Sequence, residues 1–258
     1  MLDLKQIALF YPESLRPFQR NLMREYLQYK ILACIFRSAH GQHLSFMGGT
    51  AIRIAHSSPR FSEDLDFDNQ GLDTEAFEDL THTVRTMLEL EGYAVELRNV
   101  CRKAYRCYLK IPALLFETGL SAHKTEKLSI QLDMESQGFD YTSENMIINK
   151  FDVFARIRLV PVDVLLAQKI SCIFTRKRAM GRDFFDMVFL QAKTKPNYAY
   201  LEQMLGIANS GTLRQQLQSR CQELDFQALA KDVTPFLFSP EDADKVALFL
   251  EYIESADL

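Results

Sequence analysis

A chain of 258 residues is long enough to bury a full core, in one large domain or two smaller ones. With 47% hydrophobic and 25% charged residues it has the composition of a folded protein, which excludes a disordered or low-complexity chain. The formal net charge of −4 excludes a global attraction to nucleic acid, so any such contact has to come from local clusters.

Arg16 to Ala39 reads as a helix, with Leu22, Tyr26, Leu27, Ile31, Ile35 and Phe36 at helical spacing. Leu44-Ser45-Phe46-Met47 reads as a short buried strand, ended by Gly48 and Gly49. Without Cβ atoms these two residues allow a sharp turn and a close approach of ligand to backbone. Thr50 then begins Ala-Ile-Arg-Ile-Ala, a predicted helix with Thr50 near its N-cap. The first amides of a helix lack intrahelical partners and suit an anion, above all a phosphate. Alone, a Gly-Gly-Thr triplet is more often an ordinary turn.

Asp64-Leu65-Asp66-Phe67-Asp68 alternates acid and apolar residues. In a strand Asp64 and Asp66 project to one face, while Leu65 and Phe67 face the core. Two adjacent carboxylates repel unless water or a cation screens them. A Mg²⁺ ion takes one or two carboxylates and keeps room for substrate phosphates. The bland alternative is an acidic strand face in water. The spacing does not fit an EF-hand loop, which needs a Gly and a terminal Glu at fixed offsets.

Thr74 to Glu91 reads as a helix ended by Gly92. Tyr93 to Leu97 and Tyr105 to Ile111 alternate as strands, the second closed by Pro112. In Lys127 to Glu135, Leu128, Ile130, Leu132 and Met134 share one face, leaving Gln131, Asp133 and Glu135 on the other. With the Leu44 and Asp64 strands this makes a small mixed sheet flanked by helices. Val160 to Phe174 reads as a helix with Pro161 near its start and an apolar stripe of Val162, Leu165, Leu166, Ile170 and Ile173. Lys169 falls inside that stripe. Its ammonium either snorkels to the surface or is aimed at a charged partner.

A basic link, Arg176 to Arg182, leads to a helix on which Asp183 and Asp186 share one side. Phe184, Phe185, Val188 and Phe189 pack the other. Asp183 suits a helix N-terminus electrostatically; Asp186 is expected to orient Lys169 or an arginine, with a direct nucleotide contact left open. Arg53 and Arg60 read as exposed, solvated arginines. From Pro161 onward the pattern is helical, through amphipathic segments around Leu201, Leu217, Leu229 and Leu250.

A glycine pair, short helix, loop and D-x-D strand resembles the nucleotidyltransferase superfold of polymerase-beta type. The wording Gly48-Gly49-Thr50-Ala51 with Arg60-Phe61-Ser62-Glu63-Asp64-Leu65-Asp66-Phe67 is similar to the AbiEii/AbiGii-type toxin nucleotidyltransferases, which include the MenT-like toxins. The likeness extends to Lys169 and Asp186 and covers roughly Leu32 to Leu190.

It implies an α/β (α+β) fold, with a nucleotidyltransferase-like domain over residues 1–155 and a helical domain over 156–258 that completes the active-site cleft. It implies transfer of a nucleoside monophosphate from an NTP to an acceptor hydroxyl. Asp64 and Asp66 would hold Mg²⁺, with Mn²⁺ as the alternative ion. Asp133 would be the third carboxylate, with Glu135 on the same face. Gly48, Gly49, Thr50, Ser62, Lys169 and Asp186 would bind the nucleotide; for Ser62, capping the loop is the plain alternative. The implied partners are an RNA acceptor such as a tRNA 3′ end and a cognate antitoxin protein.

The rival readings are an antibiotic-type small-molecule nucleotidyltransferase, a non-catalytic nucleotide- or partner-binding protein of the same fold, and a D-x-D glycosyltransferase. Arg98, Arg102, Lys103, Arg106 and Lys110 form one basic group, and Arg176, Lys177, Arg178 and Arg182 another. If they flank the acids, they suit an RNA backbone. Five cysteines without a C-x-x-C pair point to a reducing compartment rather than a disulfide scaffold or zinc site. The histidines lack metal-ligand spacing. No apolar run is long enough for a membrane span, and no signal peptide is evident, so the cytoplasm is the expected location.

Overall fold

The computed structural model describes residues 2–258 and divides into two units. The first is the chain up to Ala51 with Ser62–Val160; the second is Ile52–Phe61 with Pro161–Leu258.

The first unit is built on one mixed sheet of seven strands, in the order β3-β4-β5-β2-β1-β7-β6. The strands are β1 (Leu44–Met47), β2 (Leu65–Asn69), β3 (Glu96–Cys101), β4 (Tyr105–Ile111), β5 (Leu128–Glu135), β6 (Glu144–Lys150) and β7 (Val153–Leu159). The helices are α1 (Leu4–Ala8), α2 (Gln19–Arg37), α3 (Gly48–His56, which runs on into the second unit), α4 (Thr74–Leu90) and α5 (Leu114–Glu117). Both α2 and α4 pack on the sheet and on each other. Leu65, Phe67, Cys107, Leu109, Ile130 and Leu132 point into the core, as the period-2 pattern requires. Asp73 caps α4 by accepting the Ala76 amide at 2.9 Å.

Two strands lie outside the five expected from sequence. The β6–β7 hairpin pairs Glu144↔Leu159 through Lys150↔Val153 and occupies one edge of the sheet. Its signal was present: Val153, Ala155, Ile157 and Leu159 alternate and are all buried. The expected strand at Tyr93 to Leu97 begins later, at Glu96, because Tyr93 and Val95 are spent in the core before pairing starts.

The second unit is helical: α6 (Val162–Thr175), α7 (Gly181–Gln191), α8 (Tyr198–Leu205), α9 (Ser210–Cys221), α10 (Phe226–Val233), α11 (Asp244–Ala247) and α12 (Phe249–Ser255). Its centre is an aromatic cluster in which Phe184 lies 5.3 Å from Phe226 and 4.8 Å from Phe249, ring to ring. Gly181 allows α7 to approach α10; a Cβ there would sit 2.0 Å from the Leu229 carbonyl oxygen.

Residues 52–61 belong to this unit because their backbone is tied to the segment after α10. Phe61 donates to the Phe236 carbonyl at 2.8 Å and Phe238 to the Pro59 carbonyl at 3.0 Å. Arg53 stacks over the Phe238 ring at 4.6 Å and donates to the Ser58 carbonyl. Among the described residues no helix is long and apolar enough to cross a membrane.

Candidate active site

In the first unit, β1 ends at Met47 and the chain turns at Gly48, whose φ is +75°. Gly48 also lies against Asp66: a Cβ built on it would be 2.2 Å from Asp66 Oδ2. Only glycine meets both demands, since any other residue would be strained in backbone and would displace the carboxylate. The antiparallel pairing Met47↔Asp66 creates this contact.

Helix α3 starts at Gly48, two residues earlier than expected, so Thr50 lies in its first turn rather than at its N-cap. The Thr50 hydroxyl is buried and donates to the Asp64 carbonyl, tying the start of the helix to the acidic segment. Gln28 of α2 donates its amide to the Ser62 and Glu63 carbonyls, at 3.0 Å each. The chain leading into the two acids is therefore fixed from both sides.

The parallel register of β2 and β5 sets Asp133 opposite Asp66 and Glu135 opposite Asp68. Asp64, Asp66 and Asp133 are half-buried, and Glu135 is exposed. Asp133 has protein donors on both oxygens: Arg106 Nε on one and Gln131 Nε2, at 2.6 Å, on the other. The hydrogen bond that Arg106 donates to Asp133 comes first among the influences that hold its guanidinium above the ordinary pKa. Asp68, the third acid of the alternating run, is of another kind. It is buried and accepts from the Gln137 amide at 2.8 Å and the Tyr141 hydroxyl at 2.6 Å.

Among the described residues no three His, Cys, Asp or Glu side chains form a ready metal cage. Magnesium does not need one. It binds through one or two carboxylates and leaves the remaining positions to water and phosphate oxygens. The Asp66 carboxylate beside the Gly48 cradle, two residues from Asp64, supplies hard oxygen donors of that number. The residues present therefore fit a divalent hard cation.

In the second unit, Lys169 does not snorkel. It is buried on α6, and its ammonium lies 2.9 Å from Asp186 Oδ2 and 3.4 Å from Asp183 Oδ1, both on α7. Arg60, expected at the surface, is 2% exposed. It grips Asp186 with two nitrogens, at 2.7 and 2.5 Å, and donates to the Phe61 carbonyl at 3.0 Å. Arg176 Nε lies 2.8 Å from Asp183 Oδ2. Burial alone would raise the Asp186 carboxyl; Arg60 and then Lys169 outweigh it and hold it below the usual carboxylate range. Burial would likewise lower Lys169, but Asp186 and Asp183 raise it above an ordinary lysine. Sequence reasoning foresaw a cation at Asp186 but not that Arg60 would be the bidentate one. Its signal was weak, a lone arginine between Pro59 and Phe61.

A mixed sheet with a glycine turn and paired acids, followed by a helical unit, defines the nucleotidyltransferase fold class. The profile described as "Nucleotidyl transferase AbiEii toxin, Type IV TA system" matches residues 30–256, and the chain belongs to this family. Two Helicobacter pylori crystal structures share the fold. One is JHP933, at 18% identity and a TM-score of 0.56, covering 90% of this chain and 91% of that one. The other is provisionally described as a nucleotidyltransferase, with the same identity and TM-score, covering 90% of this chain and 94% of that one. No curated protein gives a significant match.

Proposed function

We propose that this member of the family transfers a nucleoside monophosphate from an NTP to an acceptor hydroxyl, with release of pyrophosphate. We further propose that it acts as the toxin of a toxin–antitoxin pair on an RNA such as a tRNA 3′ end. The observation that carries the reading is the Asp66 carboxylate, seated against the Gly48 turn at the head of α3 and in register with Asp133.

In this reading Asp64 and Asp66 hold Mg²⁺ or Mn²⁺, which when bound neutralises triphosphate charge. The first amides of α3, at Gly49 and Thr50, receive phosphate oxygens, and the Gly48 turn lets the triphosphate approach. The Ser62 hydroxyl donates to the same group. Asp133 accepts the proton of the attacking hydroxyl or adds to the ion's ligands; for either role Arg106 must share or release it. From the family likeness, Lys169 and Asp186 are further proposed as nucleotide-binding residues of the second unit, where Arg60 holds Asp186. Such chemistry rests on positioning and charge neutralisation rather than on a covalent intermediate. An RNA acceptor places the work in the cytoplasm, and a cognate antitoxin is the expected protein partner.

The test is incubation with each α-labelled NTP, Mg²⁺ or Mn²⁺, and total tRNA, beside Asp66→Asn. Label in RNA that vanishes in the variant and on chelation supports the reading. Label confined to small molecules replaces the RNA acceptor with a small one. Nucleotide binding with no transfer to any acceptor refutes the enzymatic reading.

A further inference from the structure

The sheet of the first unit has a back and a front. On the back, Cys107, Leu109, Ile130 and Leu132 are buried, and Tyr105 stacks on Phe77 of α4 at 5.2 Å. On the front, the registers extend outward from the acids. Asp66 lies beside Asp133, Asp133 beside Arg106, and Arg106 beside Val100. One step along the strands, Gln131 lies beside Tyr108 and Tyr108 beside Arg98. Another step on, Ser129 lies beside Lys110 and Lys110 beside Glu96.

The front therefore changes character across three strands, from carboxylates on β2 and β5 to arginine, tyrosine and lysine on β4 and β3. Arg98 is exposed, and its guanidinium lies 5.9 Å from the centre of the Tyr108 ring. Glu96, the acid on the basic side, is paired with Lys127 at 2.6 Å. The β3–β4 turn adds exposed Arg102 and Lys103. A local excess of positive charge on a chain of net charge −4 is not what solubility requires. Tyr108 is half-buried on the face opposite the buried Cys107 and Leu109, so it is no part of the core on the back. A cross-strand Arg–Tyr pair stabilises a hairpin only slightly. Basic groups around an aromatic face match single-stranded nucleic acid, whose phosphates need cations and whose bases need a stacking surface.

We propose that the front of β3, β4 and β5 is the platform for a single-stranded RNA acceptor, with Tyr108 stacking one base and Arg98 and Lys110 contacting phosphates. The platform rests on the transferase reading for its acceptor, and it sets the direction of the strand. A 3′ hydroxyl presented at Asp66 has its preceding nucleotides over Arg106, Tyr108 and Arg98. Neighbouring strands lie about 4.8 Å apart, so the β4 row begins roughly 10 Å from Asp66.

The test is fluorescence anisotropy of a labelled single-stranded RNA of mixed sequence on the full chain without NTP, followed by transfer kinetics. Tyr108→Ala weakens RNA binding roughly tenfold, and Tyr108→Phe restores it. Arg98→Ala with Lys110→Ala lowers the slope of log affinity against log salt by about 1.4. Nucleotide affinity, measured without RNA, does not follow the Tyr108 series. Binding of Tyr108→Ala within about twofold of wild type, or equal loss in Tyr108→Phe, overturns the platform. So does polyglutamate that competes as well as RNA, which would make the face a dock for an acidic polypeptide. A chain that binds RNA with this Tyr108 dependence but transfers nothing keeps the platform and loses the enzymatic reading. Transfer to RNA that is indifferent to Tyr108 does the reverse.

Discussion

Replacing Asp186 by alanine isolates what the buried charges of the second unit contribute. The carboxylate is wholly buried, and Arg60, at 2% exposure, donates to both of its oxygens. Lys169 would keep Asp183 at 3.4 Å, but Arg60 would lose its bidentate acceptor in a place water does not reach. Breaking a buried pair from one side costs about 3–5 kcal/mol, because the remaining charge stays desolvated. At roughly 3 °C per kcal/mol for a chain of this size, the melting temperature should fall by about 10 °C or more. The triple change Arg60→Met, Lys169→Met and Asp186→Leu removes both cations with the acid, leaves Arg176 on Asp183 at 2.8 Å, and should recover most of the loss. The pH dependence has a definite sign. The folded pKa of Asp186 is below the ordinary aspartate value of 3.8, so its stabilisation is present above that value and disappears as pH falls through the lower folded value. Lys169 is raised above 10.5, so its contribution is complete below that pH and is lost as pH rises through the higher folded value. Thermal melts and urea midpoints of wild type and Asp186→Ala, from about pH 2 to 7, measure the acid limb. A shift under about 2 °C at neutral pH, or a gap between the two proteins that does not narrow in acid, would refute the reasoning.

Gly48→Ala should abolish transfer and lower stability by about 1–2 kcal/mol, since the new Cβ meets Asp66 Oδ2 at 2.2 Å and φ is +75°; activity with a melting curve reads both. Asp68→Asn should lower stability by roughly 2 kcal/mol through its bonds to Gln137 and Tyr141 and leave the proposed Mg²⁺ dependence of transfer unchanged, as a Mg²⁺ titration would show. Lys30 is held by Glu91 at 2.7 Å and Asp152 at 2.9 Å. Burial would lower its pKa, but these partners raise it to about 12 from 10.5. Its contribution is therefore complete below pH 10.5 and lost as pH rises through about 12, so Lys30→Met should flatten the alkaline limb of the stability curve.

The core of this fold was legible where burial is one-sided. Strand β5 and its four inward residues, strand β4 and helix α4 follow directly from period-2 and period-3.6 patterns. The β6–β7 hairpin was missed because its turn, at Lys150 to Asp152, carries no Gly-Asn signal; it bends at Phe151 with φ +62°. That strain is held by rings that no local pattern announces, with Tyr26 at 5.2 Å and Tyr29 at 5.3 Å from Phe151. Arg60 was misjudged for a related reason. Its partner lies 126 residues away on α7, and single-residue exposure tendencies do not anticipate a long-range bidentate pair.

The five aspartates that matter here are distinguished by where their counter-charge comes from. Asp183 and Asp186 are neutralised by Lys169, Arg60 and Arg176, in a buried network that a nucleotide need not complete. Asp68 is satisfied by an amide and a hydroxyl. Asp66 is half-buried and lies against Gly48, where a Cβ would meet its Oδ2 at 2.2 Å, so this carboxylate's place depends on the glycine. Asp133 lies between these cases. It stands in register with Asp66 but is gripped by Arg106, a residue that faces the basic half of the sheet. An incoming cation and an incoming RNA strand would pull on opposite ends of that pair. Asp133→Asn should therefore change the dependence on Mg²⁺ and the affinity for RNA together, whereas a residue that served only the metal would change the first alone.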